Sequence, residues 1–297
     1  MPATDARDVD GLLLGWIRAR ASADGVDWLV TTSAAIADGS VDPRVAFPAV
    51  SRRVGRVALG AGRDSAAALT AELGGAPIAV PVAAWRVDDA ARVLLLRAAA
   101  RRAPPAEDAL ALAAELYFSG DPRERIAALR ALAFLPAGDA GLPAVLDAVR
   151  VNQGELFEAA ICENPYASTH LPDLEFRKAV LKAVFIGMSL ARVARIDERA
   201  DAPLAQSLFD LIIEREAAGR AVPHESFAVI ARHPPPGLAA KLLGYLEHPD
   251  PTLRAAAAAG LAVLVRAGDG RLRSFLEDRA GREPVPAVRD ALARALS

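Results

Sequence analysis

A helix-opening pattern that recurs among alanines limits this chain more than any other feature. Asp121-Pro122-Arg-Glu-Arg125-Ile-Ala-Ala-Leu129 is repeated as Asp250-Pro251-Thr-Leu-Arg254-Ala-Ala-Ala-Ala258, with a weaker echo at Pro286-Ala-Val-Arg289-Asp-Ala291. Asp accepts hydrogen bonds from the first free amides of a helix, and Pro fits its first position. The arginine then sits one turn in, with alanines facing a neighbouring helix. Alanine has the highest helix propensity and lets helices approach closely. Hydrophobic residues make up 53% of the 297, which excludes a disordered chain, and aromatics are only 5%. The expected fold class is all-α.

The pattern resembles HEAT-type helical repeats, in which helix pairs stack into a solenoid. Its copies are irregularly spaced, so the expectation is a HEAT-like stack of antiparallel helices, an irregular α-solenoid. Apolar residues at Leu12, Leu13, Trp16 and Ile17 predict a helix over 9–20, and a second follows over 27–38, ending at Gly39. Pro43 and Pro48 predict a loop over 39–53. Residues 55–75 read as helical in part, with Asp64 or Ser65 as a cap, and 76–81 as a break. A helix over 88–102 has Asp88 as its cap and is closed by Pro104-Pro105. Further helices are expected over 154–163 and 174–195, and from Asp201-Ala-Pro203 to Gly219. Residues 1–103, 104–235 and 236–297 are expected as an N-terminal part, a core and a C-terminal extension, readable also as one continuous domain.

Several function classes are excluded. The net charge of −2 provides no basic field for nucleic acid. No segment reaches the ~18 apolar residues of a membrane span. The N-terminus MPATDARDVD is acidic and polar, unlike a secretory signal. Cys162 is the single cysteine and cannot form an internal disulfide, which suits a reducing compartment. A soluble cytoplasmic protein is expected. No dinucleotide, phosphate-loop or HExxH motif occurs, and His170, His224, His233 and His248 are scattered. No cofactor and no metal site is expected.

One stretch stands out against the helical pattern. Glu163-Asn-Pro-Tyr-Ala-Ser-Thr-His-Leu-Pro-Asp173 packs donors and acceptors into eleven residues that read as a loop between two apolar segments. Two readings apply: a binding loop, or a connector with Tyr166 packed inward and Asn164 closing a turn. On the next helix Lys182 sits among Leu181, Ala183, Val184 and Phe185, either as an anion-binding lysine or with its ammonium extended to water. Gly187 suits a close helix crossing. Arg215 is placed to meet carbonyls at a helix end. The candidate ligand- or partner-binding set is Asn152, Glu158, Asn164, Tyr166, His170, Lys182, Glu214 and Arg215, and no residue is assigned as catalytic.

These residues also carry a family resemblance. Arg150-Val-Asn152-Gln-Gly-Glu-Leu-Phe157-Glu158-Ala-Ala-Ile-Cys-Glu-Asn164-Pro165-Tyr166 resembles the EboA family. So do Lys182-Ala183-Val-Phe185-Ile-Gly187 with Leu190-Ala-Arg192, and Glu214-Arg215-Glu-Ala-Ala-Gly219-Arg220-Ala-Val-Pro223. Trp85-Arg-Val-Asp-Asp89-Ala-Ala-Arg92-Val-Leu-Leu-Leu96 matches an earlier helix of that family. The resemblance covers roughly 10–230 and is sharpest over 150–223. The chain departs from the family pattern at Asp201, where Asn is usual, and at Phe176, near where Trp is common. The resemblance implies a soluble helical protein encoded beside a membrane prenyltransferase and metabolic enzymes. It also implies a role in making or moving a secondary metabolite, cyclitol- or isoprenoid-linked.

Two functions follow as expectations. The first is a non-catalytic binder or scaffold that holds a polar small molecule, or a partner protein of the same gene cluster, in a helical groove; a homo-oligomer is compatible with it. The alternative is an enzyme acting on a phosphorylated or polyhydroxy substrate. In that reading Lys182 or Arg215 would hold an anion, and Glu158 or His170 would move a proton.

Overall fold

Among the described residues the chain is all-α apart from one small hairpin. A computed structural model describes residues 9–61, 68–73, 76–102, 107–162 and 164–297. Its contacts divide the chain into two units, Met1–Phe176 and Arg177–Ser297.

The first unit is organised around α4 (Val87–Arg102), which packs against α1 (Val9–Arg18), α2 (Ala23–Asp38), α3 (Pro43–Val54), α5 (Glu107–Ser119) and α6 (Pro122–Leu132). Over 87–96 the helix is surrounded and has no solvent face, so this stretch lacks an amphipathic stripe, and Val87, Ala90, Val93, Leu95 and Leu96 are all buried. The outer helices α7 (Leu142–Ala148), α8 (Gly154–Ile161) and α9 (Pro165–His170) complete the unit.

Three expectations are corrected here. Residues 43–54 form α3, not a loop. Asp42 caps it by accepting from the Arg44 amide, with Pro43 in the first turn. An interior proline such as Pro48 costs about 3 kcal/mol. Phe47, Val50 and Val54 are buried at helical spacing, and each contributes roughly 1.5–3 kcal/mol, so burial wins. The partial helix over 55–75 is absent among the described residues; Ala68–Leu73 is β1, paired antiparallel with β2 (Ala76–Pro81) in the register Leu69↔Val80. Leu69 and Ala71 are buried with Thr70 half-exposed between them, a period of two that overrides alanine's helix propensity. Asp64 and Ser65 lie outside the described residues.

The third correction concerns Asp88, expected as a cap. Its side chain is fully buried and accepts from Ser51 Oγ at 2.8 Å and from Arg92 Nη1 at 3.1 Å. Arg92, 1% exposed, also donates to Ser51 Oγ at 2.9 Å and to the Phe47 carbonyl at 3.2 Å. Asp89 accepts from the Arg86 amide at 2.9 Å, from Arg123 Nη2 at 3.1 Å and from Arg130 Nη1 at 2.5 Å. The pair of carboxylates therefore ties α3, α4 and α6 together.

The second unit is built on α15 (Pro251–Arg266), against which α13 (Phe227–Ile230), α14 (Leu238–Leu246), α16 (Arg273–Arg282) and α17 (Pro286–Leu296) pack. Gly260 permits this: a Cβ there would stand 3.0 Å from Leu242 Cδ1. The helix-opening arginines now have a physical role. Arg254 donates to the His248 and Pro249 carbonyls, both at 2.8 Å, and Arg289 to the Glu283 and Pro284 carbonyls, both at 3.1 Å. Each arginine thus fastens its helix to the chain entering it, at identical sequence offsets. Arg125 does the equivalent with the Tyr117 carbonyl at 3.0 Å.

Candidate functional site

The Asn-Pro-Tyr stretch is a helix, not a loop. Asn164 Oδ1 accepts from the Tyr166 amide at 3.2 Å, Pro165 occupies the first turn, and α9 runs to His170. The buried Asn164 amide donates to the Leu129 carbonyl at 3.1 Å and the Ala159 carbonyl at 3.0 Å. Tyr166 is fully buried, and its hydroxyl donates to the Gly138 carbonyl at 2.8 Å. Burial pushes its phenol well above the usual tyrosine range. A side chain at Gly141 would stand 3.1 Å from that hydroxyl, so the glycine makes room for it. Asn164 and Tyr166 therefore spend their polar atoms inside the first unit, as the connector reading had it.

His170 stacks on Tyr166 with ring centroids 4.2 Å apart, and its Nδ1 meets Asp139 Oδ1 at 2.6 Å. A His–carboxylate pair is the usual orienting arrangement for a proton-transfer base. Here Nε2 is sealed from solvent with no partner among the described residues, which withholds it from a substrate. Asn152 is exposed on the turn before α8, and Glu158 is half-buried on α8. None of these five residues lines either hollow described next.

The second unit holds the other three. α10 (Asp173–Phe185) is shorter than the predicted 174–195. Gly187 ends it with φ of 79°, and the Met188 amide donates to the Ala183 carbonyl at 2.8 Å. Gly187 therefore stops the helix; it does not serve a close crossing, since a Cβ there would meet nothing within 4 Å. A short turn of 3₁₀ helix over Leu190–Arg192 and α11 (Ile196–Arg199) lead to α12 (Ala202–Ala217), capped by Asp201, whose side chain accepts from the Leu204 amide.

Lys182 and Glu214 line one open hollow of about 670 Å³, together with Leu181, Phe185, Ser207, Asp210 and Leu211. Most of the wall is apolar, and desolvation lowers the Lys182 pKa below the ordinary lysine range. Asp210 also accepts from Gln206 Nε2 at 2.8 Å, which orients its carboxylate. Sequence reasoning missed Ser207 and Asp210. Their signal was legible: Ser207, Asp210, Leu211 and Glu214 fall at i, i+3, i+4 and i+7 on one face of α12.

Arg215 faces a second hollow of about 260 Å³ with Val184, Met188, Leu190, His224 and Glu225. Its Nε donates to the Ala221 carbonyl at 2.6 Å, past the left-handed Gly219 that closes α12, so it holds the helix end as expected. Consecutive residues, Glu214 and Arg215, thus serve different hollows.

A family model described as metabolite traffic protein EboA matches residues 9–231. The chain belongs to the EboA family. No curated protein and no solved structure matches it. The EboA match takes in both hollows and stops before α14–α17. Among the described residues no helix is long and apolar enough to cross a membrane.

Proposed function

We propose that this EboA-family protein is a non-catalytic binder that holds a small, hydroxyl-rich metabolite in the Lys182 hollow. The observation that carries this is the mixed polar rim on a largely apolar wall: one ammonium, two carboxylates and one hydroxyl from Lys182, Asp210, Glu214 and Ser207. Such a rim offers both donors and acceptors, which suits a polyol or cyclitol head with an apolar or ring-shaped body. It is ill-matched to a phosphate. One lysine beside two carboxylates leaves a local charge of −1, so a phosphorylated ligand would meet like charges. That weighs against the phosphorylated-substrate reading. The family description, metabolite traffic, supports a small-molecule role.

The helices form a HEAT-like stack in this reading. The shared Arg254 and Arg289 geometry supports it, because a repeated unit reproduces its internal bonds. Partner proteins of the same gene cluster would deliver or receive the metabolite. A cytoplasmic location suits Cys162, the single cysteine, buried and in no disulfide.

The test is a thermal-shift screen of the full chain with cyclitols, sugar phosphates and prenyl phosphates. A ligand that binds only the folded state raises Tm. A cyclitol is expected to raise it in the native chain and not in Lys182→Ala. A shift by sugar phosphates alone, or one that survives Lys182→Ala, would remove this hollow as the binding site.

A further inference from the structure

The first unit contains a hollow of different chemistry, about 430 Å³ in volume, between the start of α1, strand β1, the C-terminal half of α4 and the segment after α6. We infer that it is a binding site for a small organic carboxylate. Its polar side is made by Asp10, Arg97 and Arg101. Arg97 Nε donates to Asp10 Oδ1 at 2.5 Å and Arg101 Nη1 to Asp10 Oδ2 at 2.6 Å, so a single carboxylate bridges two guanidiniums. Arg97 Nη1 also donates to the Phe134 carbonyl at 2.7 Å, which fixes the fork in place.

Charge and donor accounting point to an anion. Two guanidiniums against one carboxylate leave the hollow with a local charge of +1. Each guanidinium has five N–H donors. The contacts above use two from Arg97 and one from Arg101. Among the described residues, Nη2 of Arg97 and Nη2 of Arg101 have no acceptor. Planar, paired N–H groups match a carboxylate's two oxygens. The C-terminal end of α4 weakly opposes an anion, and charge-assisted bonds to two guanidiniums outweigh it.

The remaining surface selects among anions. Phe134 and Leu135 form an apolar wall, and Thr70 presents a hydroxyl from β1. A monoanion neutralises the local charge, whereas a dianionic phosphate overshoots it beside Asp10. The volume lies in the usual range for small-molecule sites, about 300–1,000 Å³. This hollow is built from other residues than the Lys182 hollow, so it stands or falls separately.

The experiment titrates the full-length protein, labelled with ¹³C at alanine methyl groups, with benzoate. Ala71, Ala100 and Ala133 line the hollow and report directly on occupancy. Their resonances are expected to move at millimolar benzoate, with uncharged benzyl alcohol and inorganic phosphate each far weaker. Arg101→Met, at a half-exposed position that does not threaten the fold, is expected to weaken benzoate by at least about tenfold, the loss of one charge-assisted bond. Thr70→Val is a second variant, expected to fold normally and to keep benzoate binding while losing any preference for a hydroxylated ring. Three results would each overturn the inference: methyl resonances that do not move, equal binding by Arg101→Met, or benzyl alcohol binding as well as benzoate.

Discussion

Each unit buries a cluster of charges, and the two are built to different standards. In the second unit Glu283 accepts from Arg254 at 2.8 and 2.7 Å, from Arg279 at 2.9 and 2.6 Å, and from the Val285 amide at 3.0 Å. Both arginines have further partners: Arg254 two carbonyls, and Arg279 the partly exposed Glu247 at 2.8 Å. The first-unit cluster around Asp88, Asp89 and Arg92 draws on three helices distant in sequence. Here Arg86 Nε and Asp88 Oδ1 stand 3.4 Å apart as an ion pair without a hydrogen bond, and Arg123 Nε has none among the described residues. Among the described residues, the Glu283 cluster leaves no buried side-chain atom without a hydrogen bond, whereas the Asp88 cluster ties α3, α4 and α6 together and leaves some unmet.

The comparison breaks or holds on what removing one carboxylate does. Asp88→Ala removes the carboxylate hydrogen-bonded to Arg92, which is 1% exposed, and leaves it Glu124 at 3.8 Å as its ion-pair partner. The expected loss is about 3–5 kcal/mol. Hydrogen exchange is expected to accelerate in α3, α4 and α6 and to leave α15–α17 protected. Equal acceleration throughout would erase the distinction between the clusters.

Glu283→Gln is expected to cost less, roughly 2–3 kcal/mol, because Arg254 and Arg279 keep their other partners. The same residue gives the comparison a pH dimension. The Arg254 guanidinium, with Arg279 and the Val285 amide, holds the Glu283 carboxyl down at about 2, against 4.5 ordinarily. A depressed carboxyl pKa stabilises the fold above its unfolded value, so this contribution is complete above about pH 4.5 and lost as pH falls toward 2. Acid unfolding followed by circular dichroism should show that dependence in the native chain and not in Glu283→Gln.

Much of this was readable beforehand, for local reasons. The Asp-Pro-x-x-Arg openings name helix starts because capping is a matter of a few neighbouring residues. The all-α class follows from composition and period. What escaped was decided by distant contacts. Asp88 looks like a cap until α3 brings Ser51 against it. Pro48 looks like a breaker until Phe47 and Val50 are seen to be buried. Asn164 and Tyr166 look like binding residues because donors and acceptors in sequence carry no sign of whether carbonyls such as those of Leu129 and Gly138 will meet them. Lys182 and Glu214 line one hollow, while Arg215, grouped with them in the sequence, lines another, and the polar face of α12 that completes the first hollow was not recognised.

The smallest stability effect separates holding the fold from holding a ligand. Burial depresses the Lys182 pKa, so its charge works against folding below that pKa and the penalty lifts as pH rises through it. Lys182→Met is therefore expected to leave stability within about 0.5 kcal/mol, or to raise it slightly, while abolishing the cyclitol-dependent rise in Tm. A large loss of stability would make Lys182 structural, like Arg92.

The most direct test of the binding account uses the scarcity of lysine, since the chain has only Lys178, Lys182 and Lys241. Acetylation of the folded protein near pH 8, resolved by peptide mass spectrometry, reports each amine separately. The account predicts that Lys182 is modified ahead of the exposed Lys178 and that a cyclitol slows Lys182 alone. Equal rates at the two lysines, with no protection by any polyol, would contradict it.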